Sequence, residues 1–237
     1  MSMTTVFTTT DAMLCHPSLL PYEVVERKGI GHPDTIADGV AELASIRYSH
    51  YCLDQFGVIP HHNLDKVAIC GGLARFDWKS GEYVRPLRVV FAGRASTRFG
   101  ANELPVRDIL EAAAFEQLRT TLPGFRHLTL DFHHLTTDSS MYDRWFRPRN
   151  IDDLPELSAN RASDTAYLVA SAPPTATEQV ALESERFLRR FGWAGSDIKV
   201  MVVRHGTSFR VAACVPALVG AFADSDEYRK CADQRKT

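Results

Sequence analysis

The chain lacks the features that mark membrane, secreted and nucleic-acid-binding proteins. No apolar run in its 237 residues approaches the roughly 18 residues of a membrane span, and its first residues lack the charged start and apolar centre of a signal peptide. An excess of one charge is also missing, since 27 Lys and Arg face 29 Asp and Glu, so no basic surplus is available to neutralise nucleic-acid phosphates. We therefore expect a cytoplasmic protein that binds neither nucleic acid nor membrane.

Cysteine is scarce and shows no pairing pattern. The five cysteines form an odd set without a C-x-x-C pair, so neither a disulfide framework nor a zinc site built from cysteine is expected. The remaining composition, with 45% hydrophobic and 24% charged residues, is typical of a globular protein. At roughly 150 residues per domain, this length predicts one large or two small domains with a core that needs no cross-links.

Hydrophobic spacing predicts an α-β-β-α-β order in the first half of the chain. The predicted elements are a helix at 34–56, strands at 67–72 and 84–93, a helix at 105–118 and a strand at 128–132. Gly57 follows the first helix as a typical stop, and Pro86 favours a sheet edge for the second strand.

The second half predicts a β-α-β-β order. Its elements are a strand at 167–172, a helix that begins with a capping box formed by Thr175 and Glu178, and strands at 198–203 and 209–215. We therefore predict an α+β fold of two units, each an antiparallel sheet with helices on one face. The predicted boundaries are a tail at 1–21, a first unit at 22–135, a crossing segment at 136–161 and a second unit at 162–237.

The densest group of candidate functional residues lies just before the first helix, where residues 26–34 read Glu-Arg-Lys-Gly-Ile-Gly-His-Pro-Asp. Gly29 and Gly31 allow a close backbone approach to a ligand, and a helix start offers N–H groups to an anion. His32 can donate to a phosphoryl or leaving-group oxygen, Asp34 can hold Mg²⁺, and Lys28 adds positive charge. The motif therefore predicts a phosphate-handling site. From spacing alone an ordinary turn, with Asp34 as the N-cap and His32 as an exposed neighbour, stays open.

The same motif opens a pattern that continues through most of the chain. It includes His61-His62-Asn63-Leu64-Asp65-Lys66-Val67, Gly71-Gly72, Gly93-Arg94-Ala95, Leu104-Pro105-Val106, Ser163-Asp164-Thr165 and residues 177–178, 182–188 and 197–201. From about Tyr22 to about Tyr228, these segments resemble the archaeal-type S-adenosylmethionine synthetases, or methionine adenosyltransferases.

The resemblance implies a transferase of one-carbon metabolism. In that reaction the sulfur of methionine, or of an analogue, attacks C5′ of ATP and expels triphosphate, which is then hydrolysed to pyrophosphate and phosphate. The implied cations are Mg²⁺ and, as a further candidate, K⁺. By the same resemblance, Glu26 contacts ATP and His32 lies near the scissile oxygen. From the residues themselves, Lys28 is predicted to act beside His32, and Gly29 and Gly31 are predicted to bind substrate. Asp34 is the implied magnesium ligand.

Asp164 resembles an aspartate beside the nucleoside, although a strand-edge role for it stays open. The pattern also departs from the family at several positions. Residues 137–140 read Thr-Asp-Ser-Ser in place of Gly-Gln-Gly-Ser, and residues 163–166 read Ser-Asp-Thr-Ala in place of Asn-Asp-Thr-Ser. Leu73 stands near the position where distant relatives place a glutamate for the amino-acid substrate.

The chain is also considerably shorter than single-chain members of the family. The part it lacks normally supplies further phosphate-binding Lys and Arg, another magnesium carboxylate and a third domain. This predicts one half of a divided enzyme that acts with a complementary subunit in a homo- or hetero-oligomer. Two alternatives stay open, namely a catalytically silent partner that regulates a full-length synthetase and an adenosyltransferase with a different nucleophile.

Two other patterns invite a functional interpretation. His61-His62 and His133-His134 suggest a metal site, but adjacent residues on a strand point to opposite faces and cannot both ligate one ion. The segment 144–149, which mixes arginine with Trp and Phe, is interpreted as a subunit contact rather than a nucleic-acid loop.

Overall fold

The computed structural model describes residues 16–139, 143–154 and 172–233. Its strands are β1 (Tyr22–Lys28), β2 (His62–Cys70), β3 (Leu73–Phe76), β4 (Gly81–Arg85), β5 (Leu87–Ala95), β6 (Arg98–Phe99), β7 (Asn102–Glu103), β8 (Leu130–His134), β9 (Lys199–His205) and β10 (Ser208–Cys214). Its α-helices are α1 (Pro33–Phe56), α2 (Val106–Thr121), α3 (Asp143–Phe146), α4 (Ala176–Leu188) and α5 (Ser225–Asp233). No helix in these ranges is long and apolar enough to cross a membrane.

The larger core lies between helices α1 and α2 and the sheet β2-β5-β8. In β5, Val89 and Phe91 are completely or almost completely buried. The residues paired with them in β2 and β8, namely Ile69, Val67 and Phe132, also pack against this core. Val40 and Tyr48 of α1 and Leu110 of α2 contribute fully buried side chains. Alternation in the strand and helical spacing in the helices therefore place one apolar face of each element against the others.

The sheet β2-β5-β8 is mixed, whereas the sequence predicted antiparallel sheets. Strand β5 pairs antiparallel with β2 but parallel with β8. The chain between β5 and β8 contains α2, and a crossover through a helix returns the chain in the same direction. The α+β prediction holds at this level, with the orientation of β8 as the correction.

The predicted strand 84–93 is two strands, separated by Pro86. Before the proline, β4 forms a hairpin with β3, and after it β5 becomes the centre of the larger sheet. The prediction of an edge position for this strand was therefore wrong. Proline lacks an N–H group, so it lies where the chain leaves one sheet and enters another.

The second sheet has the order β1-β9-β10 and is antiparallel throughout. Helix α4 packs on one face of it, where Ala181 contacts a small core formed by Ile198, Val200 and Val202, with Val25 of β1 beside them. Strand β1, which falls in the range predicted for the first unit, thus pairs with β9 from the range predicted for the second. The boundaries of the two units stay a prediction.

Several locally coded elements match their predicted positions. Helix α1 ends at Gly57, whose φ of 72° gives the left-handed C-cap that glycine adopts most easily. The capping box before α4 is present, with Thr175 Oγ1 accepting from the Glu178 N–H and Glu178 Oε2 accepting from the Thr175 N–H. The predicted C-terminal hairpin is β9-β10. The predicted strand 167–172 lies almost entirely outside the described residues.

A buried polar cluster joins the second sheet to α4 and to the segment ahead of β1. Glu23 accepts hydrogen bonds of 2.7 Å from the hydroxyls of Thr175 and Thr177, and Arg204 Nη2 lies 3.5 Å from its Oε2. Arg204, which is 8% exposed, also donates to the carbonyls of Pro17, Leu20 and Gly206. Burial raises the pKa of Glu23, but these hydrogen bonds outweigh burial and hold the pKa below its usual value.

Replacing the Glu23 carboxylate is expected to destabilise the fold at neutral pH. Glu23→Gln leaves Arg204 without its charged partner, which we expect to cost about 2 kcal/mol in urea unfolding at pH 7. Because the folded-state pKa of Glu23 lies below its ordinary value of 4.5, its stabilising effect is present above that value and is lost as the pH falls through the folded-state pKa. The difference in the free energy of unfolding between wild type and variant should therefore become smaller at acidic pH.

The matched control is Glu82→Gln. Glu82 pairs with Arg75 at 3.9 Å on the surface, where both side chains are largely exposed, so no measurable change is expected. A loss for Glu23→Gln as small as the loss for Glu82→Gln would contradict a stabilising role for the buried cluster.

Candidate active site at the start of the first long helix

The loop between β1 and α1 is fixed by backbone contacts with the segment ahead of β9. The Gly29 N–H donates to the Ile198 carbonyl at 2.6 Å, and the Gly31 N–H donates to the Ser196 carbonyl at 2.9 Å. A Cβ at position 29 would lie 2.8 Å from Ser196 O, and one at position 31 would lie 2.7 Å from the Ser196 carbonyl carbon. Both glycines are therefore required for this close approach.

These contacts change the role expected of the loop amides. The N–H groups of Gly29 and Gly31 donate within the chain, and the His32 N–H donates to the Gly29 carbonyl at 3.1 Å. Pro33, the first residue of α1, has no N–H to offer. The described loop therefore presents its side chains, rather than these amides, as the groups that can meet an anion.

His32 is the N-cap of α1. Its Nδ1 accepts a hydrogen bond of 3.1 Å from the Asp34 N–H, and its backbone carbonyl accepts the first helical bond from Ile36. The alternative interpretation that made Asp34 the cap is therefore wrong. Because Nδ1 acts as an acceptor here, the neutral imidazole carries its proton on Nε2. The cap thus leaves Nε2 as the hydrogen-bond donor of the neutral ring, while donation to a leaving-group oxygen stays a prediction.

A row of alternating charges runs along the exposed face of β1 and β9. Lys28 Nζ hydrogen-bonds to Asp34 Oδ2 and lies 3.9 Å from Glu26 Oε1, while Lys199 Nζ lies 2.9 Å from Glu26 Oε2. Lys28 and Lys199 are directly opposite in the strand register, which would be unfavourable for two like charges without the carboxylates between them. We refer to Lys199, Glu26, Lys28 and Asp34 as the charged row.

Contact between Lys28 and Asp34 shifts the pKa of each group so that its charged form is favoured. Hydrogen bonding to Asp34 raises the pKa of Lys28, and hydrogen bonding to Lys28 lowers the pKa of Asp34. Both side chains remain accessible, with 32% of the Lys28 side chain and 62% of the Asp34 side chain exposed. Both groups are therefore charged at neutral pH and within reach of a ligand.

Sequence reasoning missed Lys199. The residue lies in the segment 197–201 that carried the family resemblance, but nothing in the local pattern connects it to Glu26. The connection depends on the register of β1 against β9, which places Lys199 opposite Lys28. Only pairing of these distant strands brings the second lysine into the row.

Asp34 is the carboxylate at this loop that was predicted to hold magnesium, while Glu26 beside it pairs with both lysines. No group of three or more His, Cys, Asp or Glu side chains that could hold a metal occurs within the described ranges. Magnesium usually keeps several waters and binds through one or two carboxylates plus substrate phosphates. Asp34, exposed and ionised, fits the role of one such ligand, with the remaining ligands coming from phosphate and water.

The segment that replaces the family's Gly-Gln-Gly-Ser is fastened to the first sheet. Asp138 accepts 2.6 Å and 2.8 Å hydrogen bonds from Thr97 and Arg147, and the contact with Arg147 lowers its pKa to about 2. Thr137 forms a parallel bridge with Arg94. Ser140 and Asp164 lie outside the described residues, so the role predicted for Asp164 stays a prediction. Leu73, which is 40% exposed, begins β3.

The histidine pairs have partners other than a shared metal. His62 contacts Ser45 Oγ at 2.8 Å and the Pro60 carbonyl at 3.2 Å, whereas His61 stacks edge-on against Phe146. His133 pairs with Asp131 and His134 with Glu111. The two members of each pair have different partners, in agreement with the expectation that they point apart.

The arginine-rich segment 144–149 also makes contacts within the chain. Phe146 is buried against His61, Arg147 pairs with Asp138, and Arg149 forms hydrogen bonds of 2.8 Å and 2.9 Å with the two oxygens of Asp153. These intramolecular contacts account for the aromatic ring and two of the arginines. The predicted subunit contact stays a prediction.

Substitution of Gly31 should disturb the loop that carries His32. In Gly31→Ala the new methyl group collides with Ser196 backbone, so we expect a loss of about 2 kcal/mol in urea unfolding and displacement of His32. Gly192→Ala is the matched control, because a Cβ there meets nothing within 4 Å. Equal stability of the two variants would show that the loop does not need the close contact.

The chain has relatives among known protein families and among curated proteins. The model of the family described as S-adenosylmethionine synthetase (AdoMet synthetase) matches residues 14–237. An uncharacterized protein of Streptococcus pyogenes serotype M3 is 42% identical over 222 residues, which cover 89% of this chain and 55% of that protein.

Two archaeal relatives carry the name S-adenosylmethionine synthase. The protein of Thermoplasma volcanium is 34% identical over 222 residues, covering 90% of this chain and 53% of the relative. The protein of Caldivirga maquilingensis is 35% identical over 221 residues, covering 88% and 53%. The chain thus spans about half the length of the curated relatives it matches. The match confirms the resemblance seen in the sequence, and the chain belongs to the S-adenosylmethionine synthetase family.

Proposed function

We propose that this chain provides the triphosphate-binding part of a site that forms S-adenosylmethionine from ATP and methionine. The observation that carries the proposal is the position of the charged row beside His32, whose cap directs its proton to Nε2. His32 supplies a donor and the two lysines supply cations, which is what a reaction with a highly charged leaving group requires. Glu26 orients the two lysines, while Gly29 and Gly31 hold the loop against the second sheet.

The chemistry needs no general base. A sulfur lone pair forms the S–C5′ bond, the C5′–O bond breaks, and its electron pair leaves on the triphosphate oxygen. His32 Nε2–H donates to that oxygen as negative charge develops on it, and the ammonium groups of Lys28 and Lys199 stabilise the departing phosphates. Asp34 would hold Mg²⁺, which supplies further positive charge at the phosphate oxygens when bound.

The charge of the row also motivates a partner. Two lysines and two carboxylates cancel, so the row by itself carries no net charge, and one bound Mg²⁺ would offset only part of the negative charge of a triphosphate. The same face of β1 and β9 exposes Tyr22, Val24 and Met201, of which Tyr22 is 64% exposed. We therefore propose that a complementary polypeptide covers this face and contributes the missing cations.

A second candidate function is a catalytically silent partner that regulates a full-length synthetase. Two observations favour it. The charged row has no net charge, and the Asp138 carboxylate is already hydrogen-bonded to Thr97 and Arg147, so neither provides an unpaired charge for a substrate. An adenosyltransferase with a different nucleophile is a third candidate, motivated by exposed Leu73 in place of a glutamate. The retained His32 donor favours the catalytic proposal over the silent one.

The divided-enzyme proposal predicts activity only from an assembled complex. The purified chain, with ATP, Mg²⁺ and methionine, should form no S-adenosylmethionine above background, and addition of a candidate partner encoded nearby should restore formation, measured by chromatography. Halide and other thioethers in place of methionine test the nucleophile. Substantial turnover by the chain alone would reject the need for a partner.

Replacing His32 separates catalysis from helix capping. His32→Asn keeps a good N-cap but removes the Nε2–H donor, so we expect unchanged thermal stability and a fall of about 100-fold or more in turnover by the active complex. His50→Asn, on the exposed side of α1, is the matched control and should change neither. Unchanged turnover in His32→Asn would favour the silent partner.

A further inference from the structure

Asp34 Oδ2 has one observed partner, Lys28, and one proposed partner, Mg²⁺. This oxygen accepts the hydrogen bond from Lys28 Nζ, and Asp34 is also the carboxylate proposed as the magnesium ligand. A metal ion bound through this oxygen and the Lys28 ammonium group repel each other, so the two cations compete for the carboxylate. Metal binding at Asp34 through this oxygen therefore favours release of Lys28.

We propose that Lys28 is an internal counter-ion that occupies Asp34 in the metal-free site and is released towards the nucleotide when Mg²⁺ binds. This inference rests on the proposed function, and it adds a coupling between metal and nucleotide to it. Lys28 would thus have two successive roles, first neutralising Asp34 in the metal-free site and then binding phosphate.

The second carboxylate near Lys28 is that of Glu26, which would be its remaining partner after release from Asp34. Once Asp34 is taken, the other carboxylate ion-paired with Lys28 is Glu26 at 3.9 Å, and Lys199 already holds the second oxygen of Glu26 at 2.9 Å. Two ammonium groups then share one carboxylate. With Asp34 taken by the metal, the two lysines and Glu26 carry one unmatched positive charge, on the face where the triphosphate is proposed to lie.

The coupling is reciprocal. If metal binding frees a cation for the nucleotide, nucleotide binding must tighten metal binding by the same factor. Contacts between exposed charges are weak, so the barrier that Lys28 presents to the metal is small, and we expect about a two- to five-fold effect on affinity. The contact with Lys28 thus weakens binding of the metal alone relative to binding of the metal together with the nucleotide.

The test uses Mn²⁺ as the probe, with its free concentration followed by electron paramagnetic resonance. In the nucleotide-free chain, Lys28→Met should bind Mn²⁺ about two- to five-fold more tightly than wild type, because Asp34 is no longer occupied. Asp34→Asn should lose this binding. With a non-hydrolysable ATP analogue and any partner the active complex requires, wild type should gain Mn²⁺ affinity by a larger factor than Lys28→Met gains.

Lys66→Met is the matched control, since Lys66 pairs with the exposed carboxylate of Asp65, and neither residue has a proposed ligand role. It should leave Mn²⁺ affinity unchanged. The inference is overturned if Lys28→Met binds Mn²⁺ like wild type, if Lys66→Met tightens binding equally, or if no binding depends on Asp34. If instead the nucleotide itself fails to bind to the assembled protein, the proposed function fails, so the two failures are distinguishable.

Discussion

The contact between the Gly29–Gly31 loop and the backbone of residues 196–198 is the constraint on which the candidate site depends. It is made of two hydrogen bonds between backbone groups from distant parts of the chain, at a separation that excludes a Cβ at either glycine. The loop is thereby fixed at the end of β1, and α1 must begin at Pro33. The described side chains assigned to the site lie on β1, on this junction or on β9 beside it.

Fixing the loop in this way has a chemical consequence. A helix start commonly attracts anions through its free N–H groups, but here the N–H groups of Gly29, Gly31, His32 and Asp34 have partners within the chain. In the proposed site, phosphate is therefore recognised by side chains, namely His32 Nε2 and the lysines of the charged row. Side chains can exchange partners whereas capped amides cannot, and this difference permits a site whose empty state is electrically balanced.

The buried cluster around Glu23 supports the same strand from its other face. Alternation along β1 sends Glu26 and Lys28 towards solvent, while Glu23 turns towards α4. Arg204 and two threonines satisfy this carboxylate, and Arg204 also holds the carbonyls of the segment before β1. One strand therefore combines a structural ion pair on the buried face with an accessible charged row on the other, and the register of β1 against β9 fixes both.

By itself, the sequence determined what is encoded within a few residues: the extent of α1 and its Gly57 stop, the capping box at Thr175, the β9-β10 hairpin and the grouping of Glu26, Lys28, His32 and Asp34. Spacing and capping chemistry act locally, so these features could be predicted. Tertiary structure alone decided that β1 joins the second sheet, that β8 runs parallel to β5, that Lys199 completes the row and that Glu23 meets Arg204. These features depend on which distant strands pair and in which register, and no local pattern in the chain carries that information.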